Sequence, residues 1–261
     1  MEGSPTVAQS QEGAVLTISL NRPNNHNVLN GQLITELTSA FHGIRLESRA
    51  RIVILTGKDR SFCAGADLSA VNSIQSQSYE QIKSAGQAIF DLMMAVANCP
   101  LPVICRVNGA AIGGGVGLVS CCDIAVAVER AKFGFSEVHL GLVPAVISPF
   151  VIAKIGVARA RELFLTGERF DAGIAKDIGL VHHVVAEEEL DNKVSERVQQ
   201  LLQGAPGAQS DVKKLINGIL YKPIIEMGEI TSDLFARRWN SKEGKEGISA
   251  YLEKRKPDWQ E

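Results

Sequence analysis

The chain has 261 residues, 45% of them hydrophobic, and its 27 basic and 29 acidic side chains leave a formal net charge of −2. This length can bury the core of one large domain, and the charge gives no general reason to expect nucleic acid or an anionic membrane as partner. No apolar run reaches the roughly 20 residues that a membrane-spanning helix needs. Residues 1–11 lack a signal pattern. We expect them to be a short disordered lead of a cytoplasmic protein.

Cysteine and histidine spacing gives no sign of a metal site or a disulfide framework. The five cysteines are odd in number and contain no Cys-x-x-Cys pair. Cys121 and Cys122 are adjacent in an apolar run and are predicted to be buried thiols. His182 and His183 fall in a valine-rich predicted strand, where neighbouring side chains face opposite sides.

Strands and helices alternate over the first two thirds of the chain, according to the hydrophobic periodicity. Strands are predicted at residues 14–20, 51–56, 102–107, 124–128 and 180–185. Helices are predicted from residue 31 onward, over 79–97, over 147–155 and 157–165 on either side of a glycine, and over 171–176. Beyond residue 187 the composition becomes charged and helix-forming, with helices predicted at 208–220, 224–239 and 241–254. We therefore expect an α/β core over 12–195 and a helical C-terminal region over 196–261.

The stretch 61–68 reads Ser-Phe-Cys-Ala-Gly-Ala-Asp-Leu and follows the second strand after a polar turn. Small residues around a glycine would let a ligand contact the main chain itself. A simple turn of small residues fits the same pattern. Residues 69–78 are polar and weakly patterned, which is typical of a loop.

Three consecutive glycines, Gly113, Gly114 and Gly115, join two predicted strands within residues 108–123. Glycines allow close approaches and backbone angles that a side chain would forbid. A glycine turn that enters a helix also leaves N–H groups free at the positive end of the helix dipole, where they can hold negative charge. The stretch predicts either a plain strand-to-helix turn or a turn that holds an anion.

Glu137 is a lone carboxylate among apolar residues, in the stretch Phe-Gly-Phe-Ser-Glu-Val-His-Leu that begins at residue 133. An unpaired buried carboxylate is costly and has a raised pKa. A solvated glutamate on a loop is the alternative interpretation at this point.

Taken together, the order and spacing of these segments resemble the enoyl-CoA hydratase/isomerase (crotonase) superfamily over nearly the whole chain. The segments that carry the resemblance are residues 21–23, 62–68, 108–123, 133–144, 165–170, 179–181 and 246–255. The resemblance implies an α/β fold of the ClpP/crotonase-like class, in which ββα units wind into a spiral core. A helical C-terminal region that mediates trimer formation would follow, and trimers of the family often pair into hexamers.

The resemblance also implies a coenzyme A thioester as substrate, with no separate cofactor and no metal. The N–H groups of Ala66 and Gly114 would form an oxyanion hole, and Glu137 would be the catalytic acid–base. Lys254 would reach a CoA phosphate, that of a neighbouring subunit. The remaining substrate- and CoA-binding residues that the resemblance implies are Asn24, Asn25, His26, Ala64, Gly65, Asp67, Leu68 and Gly113.

One departure from the family pattern bears on the reaction. Two-glutamate hydratases carry a second glutamate three residues beyond the oxyanion glycine, and this chain has Gly117 there. A single acid–base group resembles the arrangement of family isomerases. However, residues 114–123 and the sequence Pro-Ala-Val-Ile-Ser-Pro at 144–149, which replaces a glycine-rich one, resemble a hydratase subgroup. That subgroup includes methylglutaconyl-CoA hydratase-like proteins.

We therefore expect a hydratase, for which a branched thioester such as methylglutaconyl-CoA is a candidate substrate. A Δ3-Δ2 enoyl-CoA isomerase that uses Glu137 alone is the first alternative. A non-catalytic module that uses the crotonase fold to bind CoA or a partner is an alternative of another class, since a fold alone never establishes an activity.

Overall fold

Two β-sheets organise the part of the chain that the computed structural model describes, residues 5–67, 77–219 and 222–260. The strands are β1 Val7–Glu12, β2 Val15–Leu20, β3 Ile52–Gly57, β4 Ser61–Cys63, β5 Val103–Val107, β6 Ala110–Ile112, β7 Ile124–Val128, β8 Lys132–Gly134, β9 Arg169–Asp171 and β10 His183–Val185. The larger sheet has the order β1-β2-β3-β5-β7-β10, and the smaller sheet has the order β4-β6-β8-β9.

Nine α-helices accompany these sheets in the described residues. They are α1 Gly31–His42, α2 Tyr79–Ala97, α3 Gly114–Cys121, α4 Ser148–Thr166, α5 Ala172–Asp177, α6 Leu190–Leu202, α7 Pro206–Ile219, α8 Met227–Asn240 and α9 Lys242–Glu253. None of the helices in the described residues is long and apolar enough to cross a membrane.

A ββα unit repeats three times along the core. Strands β3, β5 and β7 pair in parallel in the larger sheet, and the strands that follow them, β4, β6 and β8, pair in parallel in the smaller one. Helices α2, α3 and α4 follow each second strand in turn. This winding is the spiral that the sequence predicted, and it brings the ends of β4, β6 and β8 to one edge of the smaller sheet.

The core lies between the larger sheet and the helices that cover it. The central parallel strands are buried as near-continuous apolar runs, as expected of a sheet covered on both faces. All five cysteines are free and buried, which confirms the prediction for Cys121 and Cys122. Burial raises the pKa of the Cys63 thiol to about 12, so that this thiol stays protonated and unreactive.

The predicted disordered lead is wrong over residues 7–11, because β1 occupies Val7–Glu12 and pairs antiparallel with β2 along its whole length. The Glu36 carboxylate on α1 also accepts from the N–H groups of Thr6 and Val7, at 2.8 and 3.0 Å. The strand escaped prediction because it is an edge strand whose side chains are mostly polar and exposed. Its order comes from main-chain pairing, which leaves no apolar pattern to read.

Two other boundaries differ from the expected ones. The last strand is shorter than predicted because the N–H groups of Leu180 and Val181 both donate to the Ala175 carbonyl, which closes the end of α5. Helix α6 spans the predicted division between residues 195 and 196. The division into a core and a C-terminal region therefore stays a prediction. Gly156, with φ 76° and ψ 163°, interrupts α4 at the glycine where two helices were predicted.

Candidate active site

The three glycines at the start of α3 each face a different segment of the chain. A Cβ on Gly113 would lie 2.8 Å from Glu137 Oε1, and one on Gly114 would lie 2.7 Å from Leu29 Cδ1. A Cβ on Gly115 would lie 2.2 Å from the Cys63 carbonyl oxygen. Real Cβ atoms do not approach other atoms so closely. The missing side chains therefore let three separate segments meet at the start of α3.

The segment that carries Ala66 is joined to this turn and to the loop before α1. Leu29 and Ala66 form an isolated parallel β-bridge, in which the Leu29 N–H donates to the Gly65 carbonyl at 2.7 Å. Gly65 has φ 93°, and a Cβ there would lie 2.9 Å from the Ile112 carbonyl oxygen and 3.9 Å from the Gly114 nitrogen. The main chain around Ala66 thus lies against the main chain at Gly114.

Two main-chain N–H groups at this junction are placed to donate to a ligand. Gly114 is the first residue of α3, so its N–H has no partner within the helix, and Gly113 supplies no side-chain cap. Among the described residues, no acceptor is found for the N–H of Ala66 or that of Gly114. Both residues reach the surface. The arrangement can hold an oxygen that carries negative charge, aided by the positive end of the α3 dipole.

Glu137 completes the constellation from the 3-10 turn Ser136–Leu140, which follows β8. Its Oε2 is buried and has no hydrogen-bond partner among the described residues. Burial raises the pKa of this carboxyl group above its ordinary value, since the charged form loses water. A carboxyl group with a raised pKa is suited to take and return a proton near neutral pH. The interpretation of Glu137 as a solvated loop residue does not fit this environment.

In the structure, the loop that contains Asn24, Asn25 and His26 lies against β4 and the segment 64–67 that follows it. The His26 carbonyl accepts from the Ala64 N–H at 3.0 Å, and His26 Nδ1 lies 3.0 Å from the Ser61 hydroxyl oxygen. Asn24 and Asn25 form a 3-10 turn with Pro23, and their side chains are exposed. The two loops therefore share one surface, beside the proposed donors.

Asp67 is engaged with the protein, since its carboxylate lies 3.0 Å from the Arg22 guanidinium. Leu68, which the resemblance implies as a binding residue, and residues 69–76 of the predicted loop lie outside the described residues. Lys254 ends α9 in a left-handed conformation with φ 56° and is exposed. The hydrogen bond of its N–H is local, to the Tyr251 carbonyl. A role of Lys254 at the site stays a prediction.

Two residues that organise the site were missed from the sequence. Asn27 is fully buried with φ 55°, and its amide donates to the carbonyls of Lys58 and Ser61 at 2.9 and 2.8 Å. The tolerance of asparagine for left-handed backbone was the available signal. Leu29 bridges to Ala66 and covers Gly114, but no local pattern marks it. In the described residues, no group of three or more His, Cys, Asp or Glu side chains is placed to hold a metal.

Comparison with known proteins places this geometry in a family. The family model for enoyl-CoA hydratase/isomerase matches residues 10–261. Crotonyl-CoA hydratase of Syntrophomonas wolfei is 32% identical over 251 residues, which cover 95% of each chain. Short-chain-enoyl-CoA hydratase of Clostridium acetobutylicum is 32% identical over 252 residues, which cover 96% of this chain and 95% of the relative.

Solved structures agree in fold over the same extent. An enoyl-CoA hydratase from Shewanella pealeana superposes with a TM-score of 0.93 at 34% identity, covering 97% of this chain and 96% of the other. Pseudomonas aeruginosa AtuE superposes with a TM-score of 0.95 at 33% identity, covering 98% of this chain and all of the other. With its ββα spiral and its match over nearly the whole length, the chain belongs to the enoyl-CoA hydratase/isomerase family of the crotonase superfamily.

Proposed function

We propose that this protein is an enoyl-CoA hydratase, which adds water to an α,β-unsaturated acyl-CoA thioester or removes it from the product. The observation that carries the proposal is the meeting of Glu137 with the glycine turn at Gly113, next to the free N–H groups of Gly114 and Ala66. An acid–base group and two oxyanion donors are what the reaction needs, because it passes through an enolate of the thioester. No separate cofactor is required, since coenzyme A is part of the substrate.

Ala66 and Gly114 hold the thioester oxygen in this mechanism. When water attacks the β-carbon, electrons move onto that oxygen, and the two N–H groups stabilise the charge as it develops. Donors fixed in the fold need no reorganisation at that moment, and loss of one such donor typically costs about 3 kcal/mol of transition-state stabilisation. Replacement of Gly114 by Pro removes one donor, and we expect it to abolish turnover.

Glu137 moves the proton. As a carboxylate it accepts a proton from the attacking water, and as a carboxylic acid it returns one to the α-carbon, so that water is added across the double bond. Such a group contributes about 10²–10⁴-fold to the rate. Burial raises the pKa of Glu137, so the carboxylate binds the proton more strongly than an ordinary glutamate does.

The CoA part of the substrate is assigned to the surface that the loops at 24–26 and 64–67 share. Asn24, Asn25 and His26 line one side, and the Ala64 carbonyl is assigned to the adenine. Gly65 and Gly113 let the thioester approach the main chain. Asp67 acts through Arg22, with which it is paired. The resemblance to the family assigns Lys254, which is exposed at the end of α9, to a CoA phosphate of a neighbouring subunit.

The acyl group is proposed to be branched, with methylglutaconyl-CoA as the example. The support is the resemblance of residues 114–123 and 144–149 to the methylglutaconyl-CoA hydratase-like subgroup. The second candidate function is Δ3-Δ2 enoyl-CoA isomerase. Gly117 favours it, because an isomerase moves a proton between two carbons and needs a single carboxylate.

One experiment separates these functions. Short, branched and long enoyl-CoAs are incubated with the protein in heavy-oxygen water, and the products are analysed by mass spectrometry. A hydratase gives a 3-hydroxyacyl-CoA that carries the heavy oxygen, and the preferred acyl chain identifies the substrate. Movement of the double bond without oxygen incorporation shows an isomerase. Binding of CoA measured by calorimetry, without turnover of any substrate, shows a binding module and overturns the proposal.

The C-terminal helices are proposed to form a homotrimer, or a homohexamer of two trimers. Helix α8 and the 3-10 turn before it expose large apolar side chains, among them Ile225 at 91%, Phe235 at 67% and Trp239 at 59% of their area. Exposed apolar surface of this kind marks an interface. Sedimentation equilibrium measures the mass directly, and a monomer at micromolar concentration contradicts the proposal.

A further inference from the structure

One face of α3 faces Glu137 at its start and two apolar side chains one turn later. The Gly117 N–H donates to the Gly113 carbonyl at 3.1 Å, so these two glycines are successive on that face. A Cβ on Gly113 would meet Glu137 Oε1. A Cβ on Gly117 would lie 2.5 Å from Ile147 Cγ2 and 3.0 Å from Met93 Cε. Ile147 and Met93 therefore lie one helical turn from the position that faces the Glu137 carboxylate.

The two side chains that face the position of Gly117 are apolar and buried. Ile147 is 4% exposed and Met93 is fully buried. Glu137 Oε2 finds no partner among the described residues, and its pKa is raised by burial, with no neighbouring charge as a cause. Of the other titratable groups, His139 lies on the same turn, and its Nε2 is engaged with the Thr166 carbonyl at 2.9 Å.

We propose that Ile147 fills the space that a second acid would need, and so confines the reaction to one carboxylate, Glu137. The inference rests on the proposed hydratase function and extends it to how water is activated. The absent side chain at 117 and the bulky side chain at 147 are complementary: Gly117 has no room for a glutamate because Ile147 stands there. Ile147 is thus a positioning residue, which acts through the surroundings of Glu137.

One carboxylate is enough for a complete catalytic cycle, and no second acid–base group is needed. Glu137 takes a proton from water while the oxygen of that water bonds to the β-carbon and the π electrons move to the thioester oxygen. The thioester carbonyl then re-forms, the enolate electrons bond the α-carbon to the proton on Glu137, and the carboxylate is restored. One water is consumed, one C–O and one C–H bond form, and no oxidant, reductant or other co-reactant takes part.

The test exchanges the small and the large side chain, with a glutamate at position 117 and a glycine at position 147. The variants are Gly117→Glu, Ile147→Gly and the double variant, each made with and without Glu137→Gln. Ile147 precedes α4 with φ −86° and ψ −17°, which any residue adopts, so glycine there removes the packing of the side chain without backbone strain and adds only the entropic cost of glycine. Gly218→Glu is the matched control for placing glutamate at a helical glycine, because a Cβ on Gly218 meets nothing within 4 Å. Turnover, thermal unfolding and the pH profile of kcat/KM are measured for each.

We expect Gly117→Glu alone to unfold at a lower temperature and to lose turnover at least tenfold, and Gly218→Glu to do neither. The double variant should regain both. Glu137→Gln alone should be nearly inactive, but in the double-variant background it should turn over at least tenfold faster, because a carboxylate now occupies the second place. Ile147→Gly alone should move the acidic limb of the profile to lower pH, since water reaches Glu137. A purely structural role of Ile147 predicts lost stability with the limb unmoved.

Besides an unmoved limb, two outcomes overturn the inference. One is a Gly117→Glu protein as stable and active as the wild type, because Ile147 would then leave room for the acid. The other is a folded triple variant no more active than Glu137→Gln alone, because the place at 117 would then not be that of a second acid. The proposed hydratase function fails in a different way, through a wild-type protein that hydrates no enoyl-CoA. In that case the stability measurements on the same variants still test whether Ile147 excludes a side chain at 117.

Discussion

Arg22 and Asp67 form an ion pair, with 3.0 Å between Nη2 and Oδ2, that ties the loop before α1 to the segment of Ala66. Both side chains are largely buried, 16% and 13% exposed. Arg22 Nη1 also donates to the Val28 carbonyl at 2.7 Å, next to the residue that bridges to Ala66. The pair therefore holds Asp67, which follows Ala66 in the chain, and Arg22 in turn holds the segment that bridges to Ala66.

Asp67→Ala should weaken both the fold and the reaction. It leaves the Arg22 guanidinium part-buried without this partner, which we expect to lower the free energy of unfolding by about 1–3 kcal/mol. A shifted Ala66 N–H should reduce kcat by about tenfold or more, because small displacements of catalytic groups are costly. Denaturant unfolding and steady-state kinetics measure the two effects. In the double variant with Arg22→Ala the loss of stability should be less than the sum of the single losses. Removal of the exposed partner Glu187 from Arg130 is the control and should change neither quantity.

Glu137→Gln should separate chemistry from binding. The amide keeps the shape of the side chain but cannot accept the proton, so turnover should fall by about 10²–10⁴-fold. Affinity for CoA, measured by calorimetry, should stay unchanged. In the wild type, kcat/KM should fall on the acidic side with a midpoint above the ordinary carboxyl range, since burial raises the pKa of Glu137. Near-normal turnover of the variant would refute the role of Glu137.

The same substitution should change how stability depends on pH. The pKa of Glu137 is raised in the folded protein, so in the window above the unfolded value of about 4.3 the folded state binds more protons than the unfolded one. Its contribution to the stability of the fold therefore falls as pH rises through that window. The stability of Glu137→Gln relative to wild type should grow over that window and then level off. Urea unfolding at several pH values measures this difference.

Glu246 provides the opposite sign as a control. Hydrogen bonds from Arg255 lower the pKa of Glu246 to about 2. Its contribution to stability is present above the unfolded value of about 4.3 and is lost as pH falls toward 2. Glu246→Gln should thus be less stable than wild type at neutral pH, and the difference should disappear in acid. Parallel slopes for the two variants would contradict the assignment at Glu137.

Gly115→Ala should destabilise the protein although alanine favours helices. The added Cβ would lie 2.2 Å from the Cys63 carbonyl oxygen, a main-chain atom held in β4. We expect a loss of about 1–3 kcal/mol from overpacking, measured by urea unfolding. Gly218→Ala in α7 is the matched control, because open space surrounds that position. It should gain about 0.5–1 kcal/mol from helix propensity. A gain at both positions would show that the contact at Gly115 relaxes easily.

The elements of the core could be predicted from sequence because their signals are local. Tyr79–Ala97 carries clear helical periodicity and Ile124–Val128 is a continuous apolar run, and the structure has the same bounds for both. The edge strand β1 could not be predicted, since its order depends on a partner strand and on Glu36 rather than on its own side chains. Local sequence patterns thus predict the buried helices and strands well, but not an exposed strand at the edge of a sheet.

The candidate site divides in the same way. Glu137 and the three glycines stood out in the sequence, because a lone carboxylate and a glycine run are visible one residue at a time. Ile147 stood out only as part of the stretch 144–149, and its contact with the position of Gly117 could not be predicted. Nothing in either residue alone reveals that they share one space. Such complementarity exists only after the ββα turns have been wound together.

The proposed donors of this site are main-chain N–H groups, at an alanine and at a glycine. Alanine scanning is therefore blind to it: Ala66 is already the probe residue, and at Gly114 a methyl group collides with Leu29 before any N–H is lost. The atom to change is the nitrogen. Incorporation of an α-hydroxy acid at position 66 or 114 turns the amide into an ester, deletes one donor and adds no side chain.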